Sequence, residues 1–163
     1  MLELSDIKEI LKESGLSAKF RKSEKENWNK VLDSCSIIPT VYAWHFLDYN
    51  TVYFHSFSNS SMDISLILIN DNKPCAIWPL VFDSSEKEPI KSLNNQHGGV
   101  IVPPLFIDNL PKKTQRRIIK SCLCFLNNLL IASGGECWRT NELTIDGNAG
   151  HWHQLVIEKG GVL

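Results

Sequence analysis

The stretch from Asp63 to Phe82 constrains this chain more than any other. Asp63-Ile-Ser-Leu-Ile-Leu-Ile-Asn70 is an apolar, branched run, Asp71-Asn72-Lys73 is a short polar break, and a second apolar run extends from Cys75 to Phe82. Two such runs joined by a short Asx-rich turn predict a β-hairpin. Pro79 lies inside the second run and has no N–H to give to a ladder, so it predicts an edge or a bulge at that point.

The flanking sequence reads as helices before the hairpin and a helix-rich half after it. Ser5 is placed to cap a helix running to about Ser14, with Ile7, Ile10 and Leu11 on one stripe and Gly15 as the stop. Ser23 and Glu26 have capping-box spacing ahead of an apolar stripe of Trp28, Val31 and Leu32. Residues 15–22 between these helices have no period and read as a loop. The aromatic stretch after Pro39-Thr40 reads as helix through about Tyr49, with Tyr42, His45, Phe46, Tyr49 and Tyr53 at helical spacing and Trp44, Asp48 and Asn50 facing elsewhere. A strand over Thr51–Phe57 is the open alternative. Beyond the hairpin, Ile90–Leu93 reads as a short strand, and Val100–Val102 is a further apolar stretch closed by Pro103-Pro104. Pro111 then opens the best helix, with Ile118, Cys122, Phe125, Leu126 and Leu129 on one face and Gly134-Gly135 at its end. Cys137–Ile145 is strand-like, Asp146–Gly150 a turn, and His151–Lys159 a helix stopped by Gly160-Gly161.

This order predicts a mixed α/β (α+β) layered fold rather than a bundle or a sandwich. A length of 163 residues accommodates a single domain spanning 1–163, and 43% hydrophobic against 21% charged residues is the composition of a packed globule. Five cysteines, an odd number without an even-spaced framework, point to a reducing compartment and a cytoplasmic location. No apolar run approaches the ~18 residues of a membrane helix, so membrane insertion is not expected. A net charge of −1 argues against a protein that wraps DNA. The charge is uneven: residues 36–111 hold three basic and seven acidic side chains, and residues 112–163 hold seven and four.

Familiar catalytic signatures are missing from the sequence, among them a Walker A loop, a dinucleotide-binding Gly-x-Gly-x-x-Gly, a nucleophile elbow and His-Glu-x-x-His. No metal site is expected. Cys122 and Cys124, or His151 and His153, sit two apart on predicted helices and so point about 200° from each other, away from any one ion. Lys112, Arg116 and Lys120 form a basic stripe at i, i+4 and i+8, read either as a solvated face or as contacts to an anion such as phosphate or tRNA. Gly147 and Gly150 lie in a strand-to-helix turn whose amides can face a phosphate or simply cap the helix. Trp44, Tyr49 and Tyr53, together with His97-Gly98-Gly99, are candidates for a substrate groove, with core packing as the alternative.

A helix bearing Trp44 and Tyr49, the strand Ala76-Ile77-Trp78-Pro79-Leu80, then His97-Gly98-Gly99 and Pro103-Pro104 before a long helix, resembles the N-terminal half of FemAB-like proteins of the GNAT acyltransferase superfamily. Trp152-His153-Gln154-Leu155 through Gly160-Gly161 is similar to the segment ahead of that family's central strand. The resemblance implies a GNAT-like mixed twisted sheet flanked by helices. It also implies transfer of an acyl or aminoacyl group to an amine of an amino sugar or cell-envelope peptide, a glycan or peptide amine acceptor. No tightly bound cofactor is implied; the donor would be an acyl-CoA or an aminoacyl-tRNA. Such chemistry orients donor and amine and stabilises an oxyanion, without a covalent intermediate. The family normally has two such units, so the chain is expected to be a truncated half, inactive alone or completed by a homodimer or a C-terminal half. A non-catalytic carbohydrate- or protein-binding module is the alternative.

Overall fold

The computed structural model describes residues 2–94, 100–140 and 151–160. The hairpin forms where expected: strand β3 (Leu66–Asn70) pairs antiparallel with β4 (Lys73–Trp78). Its two turn residues, Asp71 and Asn72, both take positive φ (49° and 61°), the backbone a tight hairpin demands and Asx residues tolerate. Leu68 pairs with Ala76 but Ile69 with Pro74, leaving Cys75 as the extra residue of a bulge.

Pro79 does more than kink an edge. Both arms of the hairpin break opposite it, and the chain on each side enters a second sheet as β2 (Ser61–Asp63) and β5 (Val81–Asp83). Side chains fill the broken ladder. Ser65 Oγ accepts from the Leu80 amide at 3.1 Å and donates to the Leu80 carbonyl at 3.2 Å. The Leu93 amide and the Ser92 hydroxyl both reach the Pro79 carbonyl. The larger sheet runs β1 (Ala18–Phe20), β3, β4, β7 (Leu105–Phe106), and the smaller runs β2, β5, β6 (Ile90–Lys91), all antiparallel. The short strand at Ile90 is present. Val100–Val102 contributes only an isolated parallel bridge, Ile101 to Thr140.

Helices cover both faces of the larger sheet. Leu66, Leu68, Ala76 and Trp78 pack toward α1 (Leu4–Glu13), α4 (Lys112–Ser133) and α5 (His151–Glu158). Ile67 and Ile77 point the other way, toward α2 (Lys25–Leu32) and α3 (Trp44–Phe57). The period-2 alternation thus divides the core into two layers. Trp78 anchors the first, edge-on to Trp152 at 5.7 Å and to Phe125 at 6.5 Å, with its indole N–H on the Val102 carbonyl. Trp28 anchors the second, edge-on to Trp44 at 6.1 Å, with its N–H on the Tyr42 carbonyl.

The molecule is therefore mixed α/β, with five helices and two antiparallel sheets among the described residues, as its element order predicted. Several local expectations are corrected. Glu3, not Ser5, caps α1, in a reciprocal box with Asp6. Ser23 belongs to a 3-10 turn (Arg21–Ser23), so no Ser23–Glu26 box forms and α2 starts at Lys25 after an uncapped Glu24. Residues 15–22 are not all loop, because Ala18–Phe20 joins the sheet as its edge.

Helix α3 continues to Phe57, so the strand alternative there does not occur, and it is turned from its expected orientation. Its inward residues are Leu47 and Asn50, whereas Tyr49 is 62% exposed. The reason is polar. Arg21, only 3% exposed, needs acceptors, and α3 supplies Asp48 Oδ1 at 2.8 Å and Thr51 Oγ1 at 3.3 Å. Asp63 Oδ2 receives Nε at 3.0 Å and an Nη at 2.7 Å, and the Trp44 ring lies 4.5 Å from the guanidinium carbon. Asn50 reaches the Leu93 carbonyl at 2.8 Å. Satisfying a buried cation and a buried carbonyl outweighs burying the tyrosines.

Two substitutions separate the halves of this network. Asp63 is 13% exposed and Asp48 52%, so Asp63→Ala, which leaves a buried guanidinium short of its main acceptor, should cost about 3–5 kcal/mol. The same change at Asp48 should cost about 1 kcal/mol or less, both read by urea unfolding.

Candidate functional site

A concavity lies where α4 and α5 flank the segment after Gly134. Gly134 closes α4 at φ 68°, and the chain turns so tightly that a Cβ on Gly135 would sit 2.6 Å from the Pro89 ring. Of the strand expected over Cys137–Ile145, the described residues make only the isolated parallel bridge of Thr140 to Ile101. The Arg139 carbonyl accepts from the Ile101 amide at 2.7 Å, and Thr140 Oγ1 donates to the Ile101 carbonyl at 2.8 Å. The Trp152 indole N–H reaches Thr140 Oγ1, which ties α5 to the same bridge.

The resulting cleft is about 600 Å³, within the range of small-molecule sites. Val100, Leu123, Leu130 and Val156 give it apolar walls, and Asn127, Arg139, Thr140 and Lys159 give it polar groups. Trp138 is held over the cleft by its N–H on Asn127 Oδ1 at 3.1 Å. The rim charges are positioned from the loop before β6: Glu88 takes Arg139 at 2.7 Å, and Lys87 takes Glu136 at 2.8 Å.

Cys137 also lines this cleft, but it is not an activated nucleophile. Desolvation, then the Glu88 carboxylate, raise its thiol above the ordinary value. Burial likewise raises Cys35 and Cys122, and raises Cys75 to about 11. Among the described residues, no three His, Cys, Asp or Glu side chains are grouped to hold a metal ion. Cys122 is buried and Cys124 exposed on the far side of α4, the divergence their spacing predicts. No helix of the described residues is long and apolar enough to cross a membrane.

The residues singled out in the sequence are dispersed. Trp44 lies under Arg21 and against Trp28. Tyr49 faces solvent, and Tyr53 stacks on Phe57 at 4.7 Å beside a small cavity of about 210 Å³ that also contains Asp83, Glu86 and Lys91. The structure does not gather Trp44, Tyr49 and Tyr53 into one groove. Lys112 and Lys120 are exposed on α4, and Arg116 pairs with Glu158 of α5 at 2.9 Å. His97, Gly98, Gly99, Gly147 and Gly150 lie outside the described residues. By chain connection, Val100 follows the first group directly, and Thr140 is the last described residue before the segment containing the second. Asn127, Trp138, Arg139 and Lys159 were not anticipated, since each stands in a stretch whose period reports only secondary structure.

Asp83, beside the small cavity, is held by serines. Burial pushes its carboxyl up, but hydrogen bonds from the Ser58, Ser85 and Ser60 hydroxyls and the Ser85 amide override this and bring it to about 2. Ser60 and Ser85 donate at 2.7 and 2.6 Å. No family model, curated protein or solved structure matches this chain.

Two measurements follow from this chemistry. Because the folded carboxyl titrates below its ordinary 3.8, its contribution is complete above pH 3.8 and fades as pH falls toward 2. Asp83→Asn should therefore lose on the order of 2 kcal/mol at pH 7, and the gap from the parent should close on acidification. Separately, a thiol reagent at pH 8 without denaturant should label Cys124 and Cys137 and spare buried Cys35, Cys75 and Cys122, with Cys137 the slower of the pair.

Proposed function

We propose that this chain is a GNAT-like acyl-transfer domain of the FemAB kind, which moves an acyl or aminoacyl group onto the amine of an amino sugar or cell-envelope peptide. The observation that carries the reading is the cleft at the Ile101–Thr140 parallel bridge. The Ile101–Thr140 parallel contact, helix α4 that joins its two sides, and helix α5 border a pocket of about 600 Å³. The element order, with α2 and α3 ahead of the hairpin and α4 after it, fits the same family pattern.

The reaction is a direct substitution. The acceptor nitrogen attacks the donor carbonyl, the bond from carbonyl to thioester sulfur or ribose oxygen breaks, and the amine proton passes to solvent. Orientation and N–H donors to the developing oxyanion provide the acceleration. A site with no activated thiol suits that chemistry. Lys159 lines the cleft as a candidate for the donor's phosphates, Arg139 lines it while paired with Glu88, and Lys112 and Lys120 are exposed on α4.

Cys137 makes occupancy readable apart from turnover. In a Cys124→Ser variant, acetyl-CoA, longer acyl-CoAs or aminoacyl-tRNA should slow alkylation of Cys137, and mass spectrometry should find the acyl group on glucosamine or on a lysine-containing wall peptide. Protection without product would assign donor binding to a domain that lacks acceptor chemistry. Neither protection nor product with any of these donors overturns the proposal.

A further inference from the structure

The free edge of the larger sheet is flanked by a groove that the acyl-transfer reading does not use. It runs between α1 and β1, has a volume of about 1080 Å³, and takes its apolar floor from Leu4, Leu11, Leu16 and Phe20. Lys8, Lys12, Lys19 and Lys22 stand around it, all exposed, against a single carboxylate, Glu24, which Lys19 engages at 3.1 Å. Lys8, Lys12 and Lys22 have no carboxylate within ion-pair distance among the described residues. The lining of this groove thus carries a net positive charge.

The backbone of that edge is half unused. Among the described residues β1 pairs only with β3, and the Ile69 amide donating to Ser17 O and the Arg21 amide donating to Ser65 O, each at 2.8 Å, fix which residues face inward. Ladder groups of an antiparallel strand alternate, so 17, 19 and 21 face β3, whereas the N–H and C=O of Ala18 and Phe20 face the groove. An edge of this kind is a template for another strand.

We infer that this groove binds an extended acidic peptide by strand addition, with main-chain bonds to Ala18 and Phe20, alternate apolar side chains on the leucine floor, and carboxylates on the strand's other face drawn by the combined positive field of Lys8, Lys12, Lys19 and Lys22. Charge complementarity selects an acidic occupant, and the aligned amide edge with an apolar floor selects a peptide over a nucleic acid, whose phosphates need a broad positive surface instead.

The test uses a fluorescein-labelled, capped peptide of alternating Val and Glu and the full chain, read by anisotropy. The acidic peptide should bind, and its lysine counterpart should not. N-methylation of every second residue in one frame should abolish binding, while methylation in the other frame leaves it, because only one frame points its amides at β1. Lys8→Glu with Lys12→Glu should weaken binding by about tenfold or more, and Lys8→Gln with Lys12→Gln by less. Both sites are exposed, and unchanged circular dichroism would show the fold intact. On binding, the amides of Ala18 and Phe20 should gain protection from hydrogen exchange. The inference is overturned by absence of binding, by equal effects of the two methylation frames, or by an oligothymidylate strand that outcompetes the peptide and is lost in the same charge-reversed variant.

Discussion

A single missing N–H organises this molecule. Pro79 cannot continue the ladder of the central hairpin, and the opposite arm gives way at the same level. A buried backbone break would leave unpaired groups, each costing about 1–3 kcal/mol. Ser65 bonds both the amide and the carbonyl of Leu80, and the chain at Ser92-Leu93 bonds the carbonyl of Pro79. That repair allows one long hairpin to serve two sheets. The smaller sheet then carries Asp83 and Asp63, and Asp63 fixes Arg21.

Arg21 in turn decides how the second helical layer sits. Its partners on α3 are spaced as one face, the Trp44 ring and the acceptors Asp48 and Thr51, and that face must turn inward. Leu47 and Asn50 come with it onto the sheet, and Asn50 holds the Leu93 carbonyl beside the Pro79 break. The break, the buried cation and the helix orientation are thus one connected set of polar constraints laid between two apolar layers. On the opposite face the docking is mostly apolar, with Trp78, Phe125 and Trp152 at its centre and Arg116–Glu158 outside.

What the sequence discloses follows the range of the forces involved. The hairpin, the stop at Gly15, the span of α4 with its buried stripe and the helix at 151 were legible, because each depends on turn chemistry or on a period within one element. The three-residue strand β1 is too short for any period, and the burial of Arg21 depends on Asp48 and Asp63, 27 and 42 residues away. A helix dense in aromatics gives no single apolar face, so the choice between its tyrosines and its polar stripe was made by partners elsewhere in the chain. The cleft was invisible for the same reason. Its walls come from three elements that share no motif, and Glu88, which holds Arg139, is distant in sequence.

The Cys75 bulge has a consequence for the chain before it is folded. A two-residue turn whose Asx pair already favours positive φ closes the smallest loop available, and the entropy lost on closure is correspondingly small. A plain ladder could still slide by one residue and exchange its inner and outer side chains. The bulge removes that freedom, since a shifted partner would have to accommodate the extra residue at a position where the ladder has none to spare. The local segment from Leu66 to Trp78 therefore encodes both its pairing and its handedness of faces, and Arg21, α3 and the strand edge at Ala18 assemble on a surface whose two sides are already assigned.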